Sequence, residues 1–336
     1  MVNPPITVIG TTTWGTTLAI MNAKMGKNVS LIARTTQEAK QLVNAGENSR
    51  FLPGYKFPET LKITSQIDKA IFESKVVIVA VPSAKFRETM NSIREHLPIK
   101  SIIVIATKGL EHATGKRMSE IVCEEIGQSK KVSVCSMSGP NLAEEIIMGK
   151  PSSTVIACEE TSIAHEAQSI LKTDTIRIYT NSDIVGVEIS GAMKNTIAIA
   201  AGISDGLELG NNAKASLITR GLSEITRLGI KLGAKNSTFY GLSGVGDLIA
   251  TCSSQLSRNN QVGRMLAQGM NTDTISATMD NVAEGIDTTK AIMKLCTQEN
   301  IEMPIAEAVY KVLIGVLSAE DAVKNLMLRE SKSETT

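Results

Sequence analysis

The sequence predicts an α/β domain built on a doubly wound, mostly parallel sheet, followed by an all-α domain. Three observations carry that prediction. Through roughly the first half, short β-branched runs of strand length alternate with helical patterns, the order of elements that a parallel sheet requires. After about Asp183 the strand-like runs give way to long Ala-, Leu-, Ile- and Met-rich stretches with helical spacing. The 336 residues also exceed what one hydrophobic core usually serves. The expected division is 1–185 for the α/β domain, 186–330 for the helical domain, and a frayed polar tail over 331–336.

The elements follow in order. Residues 6–9 read as a first strand, and 16–25 as a helix with Leu18, Ala19 and Ala23 facing inward. Residues 29–33 are a second strand. Short runs at 76–81, 102–106, 132–135, 154–157 and 176–179 are rich in residues that suit a pleated, buried surface. Helical patterns at 84–96, 115–126 and 162–171 lie between them. In the second half, 187–201, 212–232, 261–269, 288–299 and 305–313 repeat apolar residues with the helical period.

Composition narrows the function classes. Hydrophobic residues make up 42% and charged residues 21%, the profile of an ordinary soluble globular protein. A net charge of +1 argues against nucleic acid or an anionic membrane as the main partner, since both need a clustered basic surface. Cys123, Cys135, Cys158, Cys252 and Cys296 are scattered with no CxxC pair, which fits a reducing cytoplasm better than a disulfide framework or a zinc site. MVNPPITVIG lacks the basic segment and long apolar stretch of a secretory signal, and no uninterrupted apolar run reaches the length of a membrane span. The expectation is a cytoplasmic protein without a metal site or stable membrane insertion. Whether it forms a homodimer is left open.

Between the first strand and first helix stands Gly10-Thr11-Thr12-Thr13-Trp14-Gly15. In a G-x-G-x-x-G phosphate turn the first glycine makes the tight turn, the second admits a pyrophosphate, and the third lets the helix pack on the strand. Gly10 and Gly15 hold the outer places, but Thr12 holds the middle one. Its Cβ is expected to crowd a pyrophosphate, while three successive hydroxyls offer donors and the helix N-terminus offers its N–H groups. Read alone, the segment is equally an ordinary strand–turn–helix. The second strand ends in Ile32-Ala33-Arg34-Thr35, with no carboxylate before Glu38. An acidic residue there selects NAD and an arginine accommodates the 2′-phosphate of NADP, so Arg34 tilts the cofactor toward NADP(H), with NAD(H) as the alternative. A solvated surface arginine fits as well.

Hydride chemistry on a carbonyl needs a proton donor and a grip on the rest of the substrate. His96, His112 and His165 lie in polar stretches without nearby partners and read as surface residues. Lys194 is the better candidate: it sits in a helix of small and apolar residues, where desolvation lowers a lysine's pKa toward the working pH. A snorkelling surface lysine is the plainer alternative. Gly246-Asp247 could cap the following helix or orient a lysine or substrate hydroxyl. Ser257-Arg258-Asn259 combines a hydroxyl, a guanidinium fork and an amide, a set that suits a phosphate monoester. Lys108, in Ala106-Thr107-Lys108-Gly109-Leu110, and the segment Ser138-Gly139-Pro140-Asn141 follow strands, where ligands of open sheets collect.

In combination these motifs, with Trp14-Gly15-Thr16, Val81-Pro82-Ser83, Gly186-Val187-Glu188, Lys194-Asn195, Ser204-Asp205-Gly206, Leu217-Ile218-Thr219-Arg220-Gly221 and Glu284-Gly285, resemble the bacterial-type NAD(P)-dependent glycerol-3-phosphate dehydrogenases over nearly the whole chain. The resemblance implies an N-terminal Rossmann domain, a helical C-terminal domain, and reversible reduction of dihydroxyacetone phosphate to sn-glycerol 3-phosphate for glycerophospholipid synthesis. It implies Lys194 as the proton donor and acceptor, and substrate contacts from Lys108, Gly139, Asn141, Lys194, Asp247, Ser257, Arg258 and Asn259. It implies cofactor contacts from Gly10, Thr13, Trp14 and Gly15 of the turn, and from Arg34, Lys108, Ala143, Arg258, Val282 and Glu284. Ala143 and Val282 enter by resemblance alone. Three positions depart from the usual pattern: Thr12 for the second glycine, Asn141 for serine or threonine, and Phe51 for tyrosine. Two other readings are a β-hydroxyacid dehydrogenase, which normally binds a carboxylate, and a nucleotide-binding regulator without turnover.

Overall fold

β1 (Ile6–Ile9) runs into α1 (Thr13–Lys24), and β2 (Val29–Ile32) into α2 (Thr36–Ala45). A small hairpin, β3 (Glu47–Asn48) and β4 (Leu52–Lys56), then precedes β5 (Leu61–Thr64), α3 (Ile67–Phe72) and β6 (Val76–Val79). The α/β half continues with α4 (Phe86–Ile93), β7 (Ile102–Ile105), α5 (Met118–Ile126), β8 (Ser133–Ser138), α6 (Ala143–Ile147), β9 (Ser152–Ala157), α7 (Thr161–Leu171) and β10 (Ile176–Asn181). From there the chain is helical: α8 (Ile184–Gly206), α9 (Gly210–Lys231), α10 (Asn236–Phe239), α11 (Asp247–Ser253), α12 (Arg258–Ala267), α13 (Thr272–Thr278), α14 (Glu284–Glu299), α15 (Pro304–Leu313) and α16 (Ala319–Met327). The structure is a computed structural model and describes residues 4–127, 131–279, 283–331 and 333–334.

Eight strands form one sheet in the order β10-β9-β8-β7-β6-β1-β2-β5. Neighbours are parallel except β8 and β9, which run antiparallel with Ser136 opposite Ala157. The chain order reverses around β1, which lies between β2 and β6. A crevice opens at such a switch point, outside the carboxyl ends of the strands. The strands alternate between two buried faces. On β6 and β7, Val76, Ile78, Ile102 and Val104 join the core under α1, α6 and α7, while Val77, Val79, Ile103 and Ile105 join the core under α4 and α5. Burial on both sides explains the continuous Val/Ile runs.

α8 is the axis of the helical half. It is long and apolar enough to cross a membrane, but 94% of its apolar window is buried inside the protein, as expected for a helix that is apolar all round. Its backbone touches that of α12. A Cβ on Gly202 would fall 2.0 Å from the Asn260 carbonyl oxygen, and one on Gly263 would fall 2.0 Å from that of Ile199. Glycine at both places lets the two helices meet without a side-chain layer between them, which fixes the start of α12 beside the middle of α8.

Candidate active site

The turn after β1 packs too tightly for side chains at its two glycines. Gly10 has φ +112°, and a Cβ there would lie 2.6 Å from the Ala80 carbonyl oxygen; one on Gly15 would lie 2.1 Å from the Gly10 oxygen. Thr12 is different. With φ −64° and ψ 167° it suits any residue, and it caps α1: its Oγ1 accepts from the Gly15 N–H at 3.1 Å and donates to the Ala80 carbonyl at 2.8 Å. Thr11 donates its hydroxyl to Glu38 Oε1 at 2.6 Å. Two of the three hydroxyls expected to face a phosphate are thus engaged with the protein, which leaves Thr13's for a ligand. The cap also starts the helix at Thr13, three residues before the expected start.

A cavity of about 500 Å³ runs from this turn to the helical half. Thr12, Thr13, Trp14, Ala80, Pro82, Lys108, Asn141 and Ala143 line it from one side, and Lys194, Asn195, Thr251, Ser257, Arg258, Asn259 and Glu284 from the other. Behind the lining, Asp247 at the first turn of α11 is 1% exposed and joins the two lysines. Lys194 Nζ donates to its Oδ1 at 2.5 Å and to Thr251 Oγ1 at 2.7 Å, while Lys108 Nζ donates to its Oδ2 at 2.7 Å and to the Gly139 carbonyl at 2.9 Å. Burial alone would raise the Asp247 pKa, but the two ammonium groups overcome it and hold the carboxyl below the usual carboxylate range. Lys108 goes the other way: desolvation pulls it down to about 8, against the attraction of Asp247.

α12 aims its N-terminus into the same cavity. Ser257 caps it by accepting from the Asn260 N–H at 3.3 Å, so Arg258 and Asn259 lie in the first helical turn, not in the surface loop their composition also allowed. Asn259 is tied on both sides, donating to Asn195 Oδ1 at 2.9 Å and accepting from the Gly285 N–H at 3.0 Å. Glu284 opens α14 and reaches across to the sheet half, accepting from the Ser83 N–H at 3.2 Å and from the Ser83 hydroxyl. Its pKa is raised by burial, against the pull of Ser83 and Arg258. A second buried tie crosses the halves at Glu188 on α8, which accepts from the Ser119 N–H at 2.9 Å and from Arg117 Nη1 at 2.9 Å.

Residues 5–164 match the N-terminal domain of NAD-dependent glycerol-3-phosphate dehydrogenase, and residues 183–324 match its C-terminal domain. The chain belongs to the NAD-dependent glycerol-3-phosphate dehydrogenase family. Within it, a glycerol-3-phosphate dehydrogenase [NAD(P)+] of Chlorobium limicola is 43% identical over 98% of this chain and 99% of its own length. One from Dehalococcoides mccartyi is 44% identical over 98% of this chain and 92% of its own. The crystal structure of glycerol-3-phosphate dehydrogenase from Coxiella burnetii superposes with a TM-score of 0.93 at 35% identity, over 98% of this chain and all of that one. The chain is accordingly an NAD(P)-dependent oxidoreductase with a Rossmann-type sheet domain and a helical C-terminal half.

The residues that the resemblance implies do not all meet the cavity in the same way. Gly10 and Gly15 shape the turn, and Gly139 contributes its carbonyl to Lys108 without lining the space. Asn141 lines it, but its amide is held by the start of β9, donating to the Ser153 carbonyl at 3.2 Å and accepting from Thr154 Oγ1 at 2.9 Å. Arg34 is exposed and outside the lining. Beside it, Glu38 accepts from the Arg34 N–H at 2.9 Å, so a carboxylate does reach the end of β2 by folding back from α2. Val282 lies outside the described residues. The three histidines are exposed. Thr251 and Arg50 are not among the site residues expected from the sequence, which marks Ser83 only as part of Val81-Pro82-Ser83. Thr251 was findable, since it follows Asp247 by one helical turn on the same face. Arg50, stacked 4.9 Å from the Phe51 ring centre at the cavity wall, carries no local signal.

Proposed function

We propose that the cavity performs reversible hydride transfer between NAD(P)H and dihydroxyacetone phosphate, giving sn-glycerol 3-phosphate for glycerophospholipid synthesis, with Lys194 as the proton donor and acceptor. The observation that carries this reading is the single buried carboxylate, Asp247, that holds Lys108 and Lys194 side by side at the cavity wall. The residues fit a dinucleotide. The glycine turn brings the N-terminus of α1 to the cavity, and the buried Trp14 Nε1 beside it has no partner among the described residues. When bound, the nicotinamide supplies the hydride.

The chain's own residues do the rest. Two ammonium groups against one carboxylate leave the pocket with a positive surplus, aimed where negative charge builds on a carbonyl oxygen as it is reduced. Lys194 Nζ holds the proton for that oxygen, and Asp247 and Thr251 fix its position. Lys108 adds charge without having to give up a proton. The substrate's phosphate is assigned to the start of α12, where Arg258 offers a bidentate fork and Ser257 and Asn259 flank it near helix N–H groups. A phosphate, not a carboxylate, is the anion this cluster suits. Arg34 favours NADPH over NADH, and a cytoplasmic location accords with five free cysteines.

The test is NADPH consumption by the purified protein with dihydroxyacetone phosphate, alongside Lys194→Ala. The variant should lose most of kcat, about 100-fold or more, while its NADPH affinity stays the same. Protein that binds NADPH normally yet turns over none of this substrate would sink the proposal.

A further inference from the structure

Away from the cavity, the antiparallel junction of β8 and β9 sets two cysteines face to face. The register pairs Ser136 with Ala157, Met137 with Ile156 and Ser138 with Val155, which brings Cys135 opposite Cys158, the residue that follows β9. Cys135 and Met137 point to the same side of the sheet as Ile156 and Cys158, within one apolar cluster. Directly opposed antiparallel residues have Cα atoms about 4.5–5.5 Å apart, inside the range of about 4.4–6.8 Å that a disulfide spans. Both thiols are free and buried.

The two sulfurs are not equivalent. Cys135 is wholly enclosed, whereas Cys158 lies at the strand's end, three residues ahead of α7. The neighbouring Cys135, with a smaller effect from the Glu160 backbone, holds the Cys158 thiol below its ordinary range, although burial and the Glu159 and Glu160 carboxylates oppose this. Cys135 is driven up by Cys158 and by burial. The sulfur at the strand end is placed to react first and the enclosed one to follow, the division of labour found in a nucleophilic and a resolving cysteine.

We propose that Cys158 and Cys135 form a peroxide-sensitive dithiol, in which Cys158 is oxidised first and Cys135 resolves it to an intramolecular disulfide. The Cys158 sulfur attacks one oxygen of hydrogen peroxide and breaks the O–O bond. The sulfur is oxidised to a sulfenic acid, and the departing hydroxide takes a proton and leaves as water. The Cys135 sulfur then attacks the sulfenic sulfur, forms the S–S bond, and gives up its proton to the hydroxyl that leaves as a second water. Two thiols and one peroxide become one disulfide and two waters, with peroxide as the only oxidant. The bond would tie β8 to β9 at the end of their paired segment away from the loop that carries Gly139 and Asn141. Three residues along β8, Ser138 Oγ lies 3.4 Å from Asp247 Oδ2.

The experiment treats the native full-length chain with hydrogen peroxide, blocks remaining thiols with N-ethylmaleimide, and reads intact mass and non-reduced peptides. The expected product is about 2 Da lighter before alkylation is counted, contains the Cys135–Cys158 linked peptide, and reverts with dithiothreitol. Cys135→Ser should show no link but a Cys158 sulfenic acid trapped by dimedone. Cys158→Ser should slow oxidation at Cys135 at least tenfold, and Cys123→Ser should behave as wild type. The wild-type peptide map is decisive even if a variant does not fold. No linked peptide, a link through exposed Cys123, or undiminished oxidation of Cys135 in Cys158→Ser would overturn the proposal.

Discussion

Replacing Asp247 by asparagine keeps the shape of the side chain and removes one negative charge from between two lysines. The carboxylate is 1% exposed and meets Lys194 and Lys108 at 2.5 and 2.7 Å, so solvent cannot take its place. Removing one partner of a buried ion pair costs about 3–5 kcal/mol. The site has a way to relieve that cost, because Lys108 is already drawn down to about 8 and needs little persuasion to lose its proton. A loss of about 3 kcal/mol moves its titration down by about two pH units, at about 1.4 kcal/mol for each. Near pH 8 about half of the wild-type Lys108 is charged but only about one part in a hundred in the variant; near pH 6 the two differ by about twofold. If the Lys108 charge is needed for turnover, the ratio of wild-type to variant kcat/KM rises from about 2 at pH 6 to about 50 at pH 8. Any misplacement of Lys194 multiplies both values equally. NADPH consumption with dihydroxyacetone phosphate, measured across this range, gives the ratio directly. A ratio that does not change with pH, or a variant within threefold of wild type at pH 8, would refute the idea that Asp247 maintains the charge on Lys108.

Other perturbations probe separate parts of the structure. Arg34→Ala should weaken NADPH binding about tenfold and leave NADH binding unchanged, the difference being one charged hydrogen bond to phosphate; titration with both cofactors checks it. Thr12→Gly should lower stability by about 1 kcal/mol, because it removes the α1 cap and the bond to Ala80. It should not tighten cofactor binding; a smaller Kd would show that the threonine crowds the pyrophosphate after all. Glu224 accepts from the Ile305 and Ala306 N–H groups, yet burial raises its pKa from 4.5 to about 7. A raised carboxyl pKa means the folded state binds the extra proton. Its favourable contribution is therefore complete below about pH 4.5 and is lost as pH rises through 7, by about 3 kcal/mol. Glu224→Gln should flatten that part of the profile, read as Tm between pH 5 and 8.

What was legible in the sequence was whatever depends on neighbours along the chain. Double-sided Val/Ile runs gave the strands of the buried sheet, and the helical period gave the second half. Lys194, Lys108 and the Ser257-Arg258-Asn259 group stood out because polar residues are conspicuous in apolar surroundings or after strands. Helix starts were placed late at the turns that matter most: at 16 where α1 begins at Thr13, at 261 where α12 begins at Arg258, and at 288 where α14 begins at Glu284. The reason is physical. The first turn of a helix has free N–H groups and attracts polar, ligand-facing residues, so its apolar period begins only after the turn that does the binding. Tertiary structure alone decided the rest. Asp247 is 139 residues from Lys108 and 53 from Lys194, and only the packing of α8, α11 and the loop after β7 makes one carboxylate serve both. The reversal of β9, which sets Cys135 against Cys158, is likewise a property of strand pairing, since a β-branched run reads the same in either direction.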